Sequence, residues 1–139
     1  MQKNADARGL GLLAALAIFD VAFRFFLLAS GGRVHKNYGV AFDVPLPRWF
    51  VITVSVLVIV WMARLAYKTA HRQRLAFVSI IFGAAANLFD RLINGFTTDY
   101  LFLPFGAVIN VADILIILGV VVYFWQKHPQ NSVDKNVNS

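Results

Sequence analysis

The 139-residue chain is 59% hydrophobic and only 14% charged, with a mean hydropathy of +0.66. That composition excludes an ordinary soluble domain, in which roughly a quarter of residues are charged, and points to one small integral membrane domain. The net charge is +6, but the basic residues sit in short links between apolar runs, so the sequence implies headgroup anchoring and no nucleic-acid partner; the absence of cysteine excludes a disulfide framework and a thiol nucleophile.

Four apolar spans follow in chain order, at about 10–30, 49–67, 75–92 and 105–125, near the ~20 residues a bilayer requires. The expected fold is therefore an all-α integral membrane domain, a four-transmembrane-helix bundle. A short irregular or β-like outer element is expected around 31–48, where Pro45 and Pro47 punctuate the chain. Pro104 is placed at the opening of the fourth span, where a missing N–H does no harm. Gly83-Ala84-Ala85-Ala86 in the third span is suited to close helix packing. Trp49, Trp61, Tyr67, Tyr100 and Trp125 near span ends read as interfacial anchors. The first apolar run is long and does not end in a small-residue cleavage site, so no cleavable signal peptide is expected. Residues 1–128 are read as one domain and 129–139 as a disordered polar tail.

With four spans both termini share a side. Lys3, Arg8, Arg64, Lys68, Arg72, Arg74, Lys127 and Lys135 lie on it, against Arg33, Lys36, Arg48 and Arg91 on the other. Cytoplasmic N- and C-termini are expected from that bias.

All seven acidic residues are Asp. Asp20, Asp90 and Asp113 interrupt spans, Asp99 lies in the link before the fourth, and Asp43 lies in the first outer loop. A carboxylate in hydrocarbon costs roughly 2.5–3.5 kcal/mol on insertion scales, which makes each a functional candidate. Asn87, Asp90 and Arg91 share one face of span three, and Asn110 and Asp113 one face of span four. Two carboxylates converging at a poorly solvated outer site share a proton, so that one serves as general base on a water and the other as general acid. Plainer readings stand beside this one. Asp90 with Arg91 reads equally as an ion pair capping span three, Asp20 with Arg24 as a structural i, i+4 pair, and Asn87 and Asn110 as interhelical hydrogen-bond partners. Asp99 and Asp113 have no basic neighbour in sequence.

Four blocks in these regions resemble the lipoprotein signal peptidase (signal peptidase II) family. They are Asp20-x-x-x-Arg24; Asn37-Tyr38-Gly39-Val40-Ala41-Phe42; Gly83-Ala84-Ala85-Ala86-Asn87-Leu88-Phe89-Asp90-Arg91; and Asp99 followed by Asn110-Val111-Ala112-Asp113. The resemblance implies an aspartic endopeptidase of the bacterial inner membrane, with Asp99 and Asp113 as catalytic dyad near the outer face. Asn37, Gly39, Asn87, Arg91 and Asn110 would bind substrate or shape the site, and Asp20 and Asp90 would support it. The implied substrate is a prolipoprotein whose cysteine carries a diacylglyceryl group, cut just before that cysteine. No cofactor or metal is implied, membrane lipids are the other partners, and a monomer is expected. This chain departs from the family's usual pattern in having Arg24 for Lys, Ala86 for Gly, Tyr100 and Ile109 for Phe, and short spacings of 17 residues from Asp20 to Asn37 and 14 from Asp99 to Asp113.

Other protease types lack their motifs. Ser30, Ser55 and Ser79 have no Gly-x-Ser-Gly setting, His35, His71 and His128 form no His-Glu-x-x-His, and no Gly-x-Gly-Asp block occurs. A small proton- or ion-coupled transporter and an inactive scaffold homologue remain as alternatives.

Overall fold

The computed structural model describes residues 2–39, 46–69 and 71–127. Asp43, with Val40 to Phe42 of the second block, and the tail after Lys127 lie outside the described residues. The element order is α1 (Gln2–Ser30), β1 (His35–Asn37), α2 (Arg48–Lys68), α3 (His71–Asn94), β2 (Thr97–Asp99), β3 (Leu101–Phe102), β4 (Val108–Ile109) and α4 (Val111–Lys127).

Among the described residues three helices are long and apolar enough to cross a membrane, over Asp6–Ser30, Arg48–Lys68 and Gln73–Asn94. Local chemistry sets their ends. α1 stops where Gly31 takes φ +70° and Gly32 N–H returns to Leu27 O at 2.8 Å, the closing bond of a Schellman turn. α2 begins after Pro47, whose carbonyl accepts Phe50 N–H at 3.0 Å and Val51 N–H at 3.2 Å. α3 stops at Gly95, φ +85°, whose N–H bonds Arg91 O at 3.0 Å. The Arg48 guanidinium caps the same end, donating to the carbonyls of Arg91 at 3.2 Å and Leu92 at 3.1 Å.

The fourth helix begins later than the apolar run suggests. Residues 105–110 do not open it: Val108–Ile109 form β4, antiparallel to Leu101–Phe102 of β3, and Pro104 lies in the intervening turn. Gly106, φ +86°, permits that turn, and Leu103 N–H bonds Ala107 O at 2.8 Å. The second short ladder pairs β1 with β2, in the register His35↔Asp99, Lys36↔Thr98 and Asn37↔Thr97. Both ladders sit at the end of the helices formed by the C-termini of α1 and α3.

α3 packs against α1, α2 and α4 and is the central helix. Its closest partner is α4, and two glycines make that approach possible. A Cβ on Gly83 would stand 2.4 Å from Ala112 O, and one on Gly119 would stand 2.6 Å from Ala76 O. Ser79 Oγ donates to Leu115 O at 2.7 Å across the same seam. Adding a methyl at Gly83 or Gly119 must separate backbones, because the obstructing atoms are carbonyl oxygens. Gly83→Ala and Gly119→Ala should therefore each lower stability by about 1–3 kcal/mol. Thermal unfolding in detergent checks this, and unchanged melting would show that the seam is looser. By contrast, Ile18, Leu57, Trp61, Val121 and Phe124 point outward, as lipid-facing side chains of a spanning bundle do.

Candidate active site

The largest fully buried side chains are polar: Arg24, Asn110, Thr98, Asp20, Asp90 and Asp99. Burying polar groups is costly unless they are paired. Here the charged and amide side chains form a connected network, which Thr98 joins through its backbone N–H, while its buried hydroxyl has no partner among the described residues.

Its charged centre is Arg24, on the face that α1 turns toward α3. The guanidinium pairs with Asp20 one turn earlier, with Asp90 Oδ2 at 3.0 Å, and donates to Asn87 Oδ1 at 2.8 Å. Asp90 is thus held by Arg24 from another helix. Its remaining contacts are Asn94 Nδ2 at 2.6 Å and the backbone N–H of Thr98 at 2.6 Å. The Asp90–Arg91 ion pair considered from the sequence is not the one formed: adjacent helix residues point about 100° apart. Arg91 instead donates to Gly39 O at 2.7 Å, while Gly39 N–H bonds Asn37 Oδ1 at 3.0 Å. Asp20, paired with Arg24 as its spacing suggested, also accepts the Tyr100 hydroxyl at 2.5 Å and Val111 N–H at 3.2 Å.

The two carboxylates of greatest interest meet through one residue. Asn110 Nδ2 donates to Asp99 Oδ1 at 2.6 Å, and Asn110 Oδ1 accepts Asp113 N–H at 2.9 Å. Asp113 Oδ2 in turn accepts Asn110 N–H at 3.1 Å. The last two bonds are a capping box: Asn110 is the N-cap of α4 and Asp113 its third residue. This reciprocal cap starts α4 at Val111 and also aims both side chains. Asn87 Nδ2 donates to Asp113 Oδ1 at 2.8 Å, and Asn37 Nδ2 to Asp99 Oδ2 at 3.1 Å. Asn37, Gly39, Asn87, Asp90, Arg91, Asn110, Asp20, Asp99 and Asp113 are therefore linked directly or through one partner. Sequence reading misses Asn94 and Thr98 and gives Tyr100 only as an interfacial anchor, whereas its hydroxyl bonds Asp20 inside the network. Asn94 lies four residues after Asp90, a helical spacing that signals contact, and Tyr100 follows Asp99 directly.

Asp99 ends β2 and is 1% exposed. Burial pushes its pKa up to about 6; the Asn37 and Asn110 amides oppose that rise, and the Asp113 charge adds to it. The sign follows from the proton. Asp99 holds its proton more tightly in the folded chain than in the unfolded one, so its burial costs stability as pH rises through the interval from about 4 to about 6. A reaction that needs one proton on the pair should slow as pH rises past the same region. Asn37→Ala removes an N–H that favours the ionised form, so the alkaline limb of the kcat/KM profile should move to higher pH. Paired pH–rate profiles check this, and a limb that stays put would remove Asn37 from contact with the titrating group.

The chain is similar to known proteins over most of its length. Residues 13–128 match the family described as signal peptidase (SPase) II. The lipoprotein signal peptidase of Klebsiella aerogenes is 33% identical, over 86% of this chain and 87% of its own. That of Buchnera aphidicola subsp. Acyrthosiphon pisum is 32% identical, over 71% of this chain and 69% of its own. A bacterial membrane enzyme solved by the in meso method at 2.3 Å has the same fold, with a TM-score of 0.77 at 19% identity over 88% of this chain and 89% of that one. A second such structure, at 1.9 Å, has a TM-score of 0.72 at 19% identity over 86% and 92%. With the family pattern running through all four helices, the chain belongs to the signal peptidase II family.

Proposed function

We propose that this membrane protease is an aspartic endopeptidase that removes the signal peptide from diacylglyceryl-modified prolipoproteins, cutting just before the modified cysteine. One observation carries the reading: Asp99 and Asp113, from different elements, are both bonded by Asn110 at one end of an apolar bundle. The pair would hold one proton between its carboxyl groups. The ionised partner takes a proton from a water, whose oxygen attacks the scissile carbonyl. The protonated partner donates to the carbonyl oxygen, giving a tetrahedral gem-diol. Collapse breaks the C–N bond as a proton passes to the leaving amine. The products are the signal peptide carboxylate and an N-terminal lipid-modified cysteine, and the pair recovers its single proton.

Asp20 and Asp90 would take no part in proton transfer. They neutralise Arg24 and so hold Asn87 and Tyr100 in place. Arg91, Asn37 and Gly39 would line the substrate side, where Arg91 fixes the Gly39 carbonyl.

The placement belongs to the same proposal. α4 has 17 residues, about 26 Å of helix, and would serve as the fourth span. The bundle would lie in the bacterial inner membrane with cytoplasmic termini, following the excess of basic residues on that side. The active site would then face outward, where a membrane-tethered precursor presents its scissile bond. Residues 1–128 would act as one monomeric peptidase domain, with 129–139 as a polar tail. No cofactor enters the mechanism. A gel-mobility assay tests the reading: purified protein in detergent should convert a diacylglyceryl-modified prolipoprotein to the shorter form. Failure by cooperatively folding protein would favour an inactive homologue.

A further inference from the structure

We propose that Tyr100 is a positioning residue for the Asp99–Asp113 pair, its hydroxyl closing a ring of hydrogen bonds and chain that runs from one carboxylate to the other. The inference rests on the aspartic reading of that pair.

The ring can be followed bond by bond. Asn110 joins the two carboxylates, its Nδ2 donating to Asp99 and its backbone N–H to Asp113 Oδ2. Asn87 Nδ2 reaches Asp113 Oδ1 at 2.8 Å, and Arg24 reaches Asn87 Oδ1 at 2.8 Å. Arg24 also pairs with Asp20, and Asp20 Oδ1 accepts the Tyr100 hydroxyl at 2.5 Å. Tyr100 follows Asp99 in the chain, so this last bond returns to the starting strand. The same Asp20 oxygen accepts Val111 N–H at 3.2 Å, at the first residue of α4. One carboxylate oxygen on α1 thus ties down both the end of β2 that carries Asp99 and the start of the helix that carries Asp113.

The hydroxyl is separable from the rest of the side chain. The Tyr100 ring packs edge-on against Phe23 with centroids 5.0 Å apart, and its backbone N–H bonds Ile109 O at 3.0 Å. A phenylalanine would keep both contacts and lose only what the hydroxyl makes, the bond to Asp20 and a longer one accepted from Val111 N–H at 3.4 Å. Burial and the Asp20 carboxylate both push the Tyr100 hydroxyl up from its ordinary pKa, so it stays a donor. The spacing of 14 residues between Asp99 and Asp113 leaves a short hairpin to hold them apart, and the hydroxyl supplies a cross-link that this hairpin does not.

The test is Tyr100→Phe beside wild type, with kcat, KM, the pH profile of kcat/KM and cooperative melting measured on a diacylglyceryl-modified prolipoprotein. A positioning role predicts kcat about tenfold lower with KM within about twofold, a displaced alkaline limb and a melt that remains cooperative. Wild-type kcat and pH profile in the variant would overturn the inference while leaving the dyad intact. Loss of the folded state would also overturn it, since the hydroxyl would then serve the fold. Absence of turnover by cooperatively melting wild type would instead defeat the aspartic reading itself, and the inference with it.

Discussion

Arg24→Ala should destabilise the protein by about 3–5 kcal/mol, the loss expected when one partner of a buried ion pair is removed. Arg24 is 0% exposed and lies between Asp20, at 0%, and Asp90, at 1%. Without the guanidinium, two buried carboxylates lose their counter-charge and Asn87 loses a donor. Asp20 would keep Tyr100 and Val111 as donors, and Asp90 would keep Asn94 and Thr98. Those bonds soften the loss without neutralising the charge. Arg24→Lys should recover part of it, because an ammonium supplies the charge without the planar fork that reaches both carboxylates. Thermal melts of the three proteins in one detergent decide the matter. Equal melting temperatures would mean that the carboxylates are neutral or solvated, contrary to the network described.

The second large effect is chemical. Asp99→Asn and Asp113→Asn should each lower kcat/KM by at least the 10²–10⁴-fold typical of a lost general acid or base, with the fold retained. Asn is close in size to Asp; in Asp113→Asn the backbone half of the capping box is untouched and the amide oxygen can still accept Asn110 N–H, while the new NH2 group faces the Asn87 amide donor. Asp99→Asn exchanges a buried titrating carboxyl for a neutral amide and sets an NH2 group against one of the two amide donors, Asn37 or Asn110. These changes offset each other, so stability should move little while turnover disappears. Near-normal turnover by either variant would remove that residue from the chemistry.

Particular residues show how much of this was legible in the sequence. The three long apolar helices follow from runs of Leu, Ile, Val, Phe and Ala, and composition alone gives membrane residence. Asp20 with Arg24 and Asn110 with Asp113 were legible because helical spacing of three or four brings side chains together. The reading of Asn110 and Asp113 as sharing a face was incomplete. They sit at the helix start, where the same spacing also makes a reciprocal cap, and that cap moves the beginning of α4 from about 105 to Val111. The hairpin of residues 101–109 was missed because its side chains are as apolar as a span, and hydropathy cannot separate a strand beside the bundle from a helix within it. The Arg24–Asp90 pair was not legible at all, since the partners lie 66 positions apart and only α1–α3 packing brings them together. Gly83 was found through its small neighbours, whereas Gly119 stands alone in an apolar run and reveals its purpose only where it meets the Ala76 carbonyl.

The family's relation to lipoprotein precursors fits the physical layout. A network of buried carboxylates and amides is costly in hydrocarbon and is retained here at one end of the helices, beside two short ladders. A transporter would be expected to carry such groups through the membrane's depth. Among the described residues the connected network instead joins the C-terminal parts of α1 and α3 to β1, β2 and the start of α4.

The central claim is that Asp99 and Asp113 together hydrolyse a lipid-modified precursor. The most direct measurement incubates purified wild type, Asp99→Asn and Asp113→Asn, each verified as folded, with one prolipoprotein in diacylglyceryl-modified and unmodified forms, and determines the product mass. A single product is expected, from wild type and the modified form only, beginning at the modified cysteine, and none from either variant. Cleavage by a variant, or a wild-type cut elsewhere in the precursor, would contradict it.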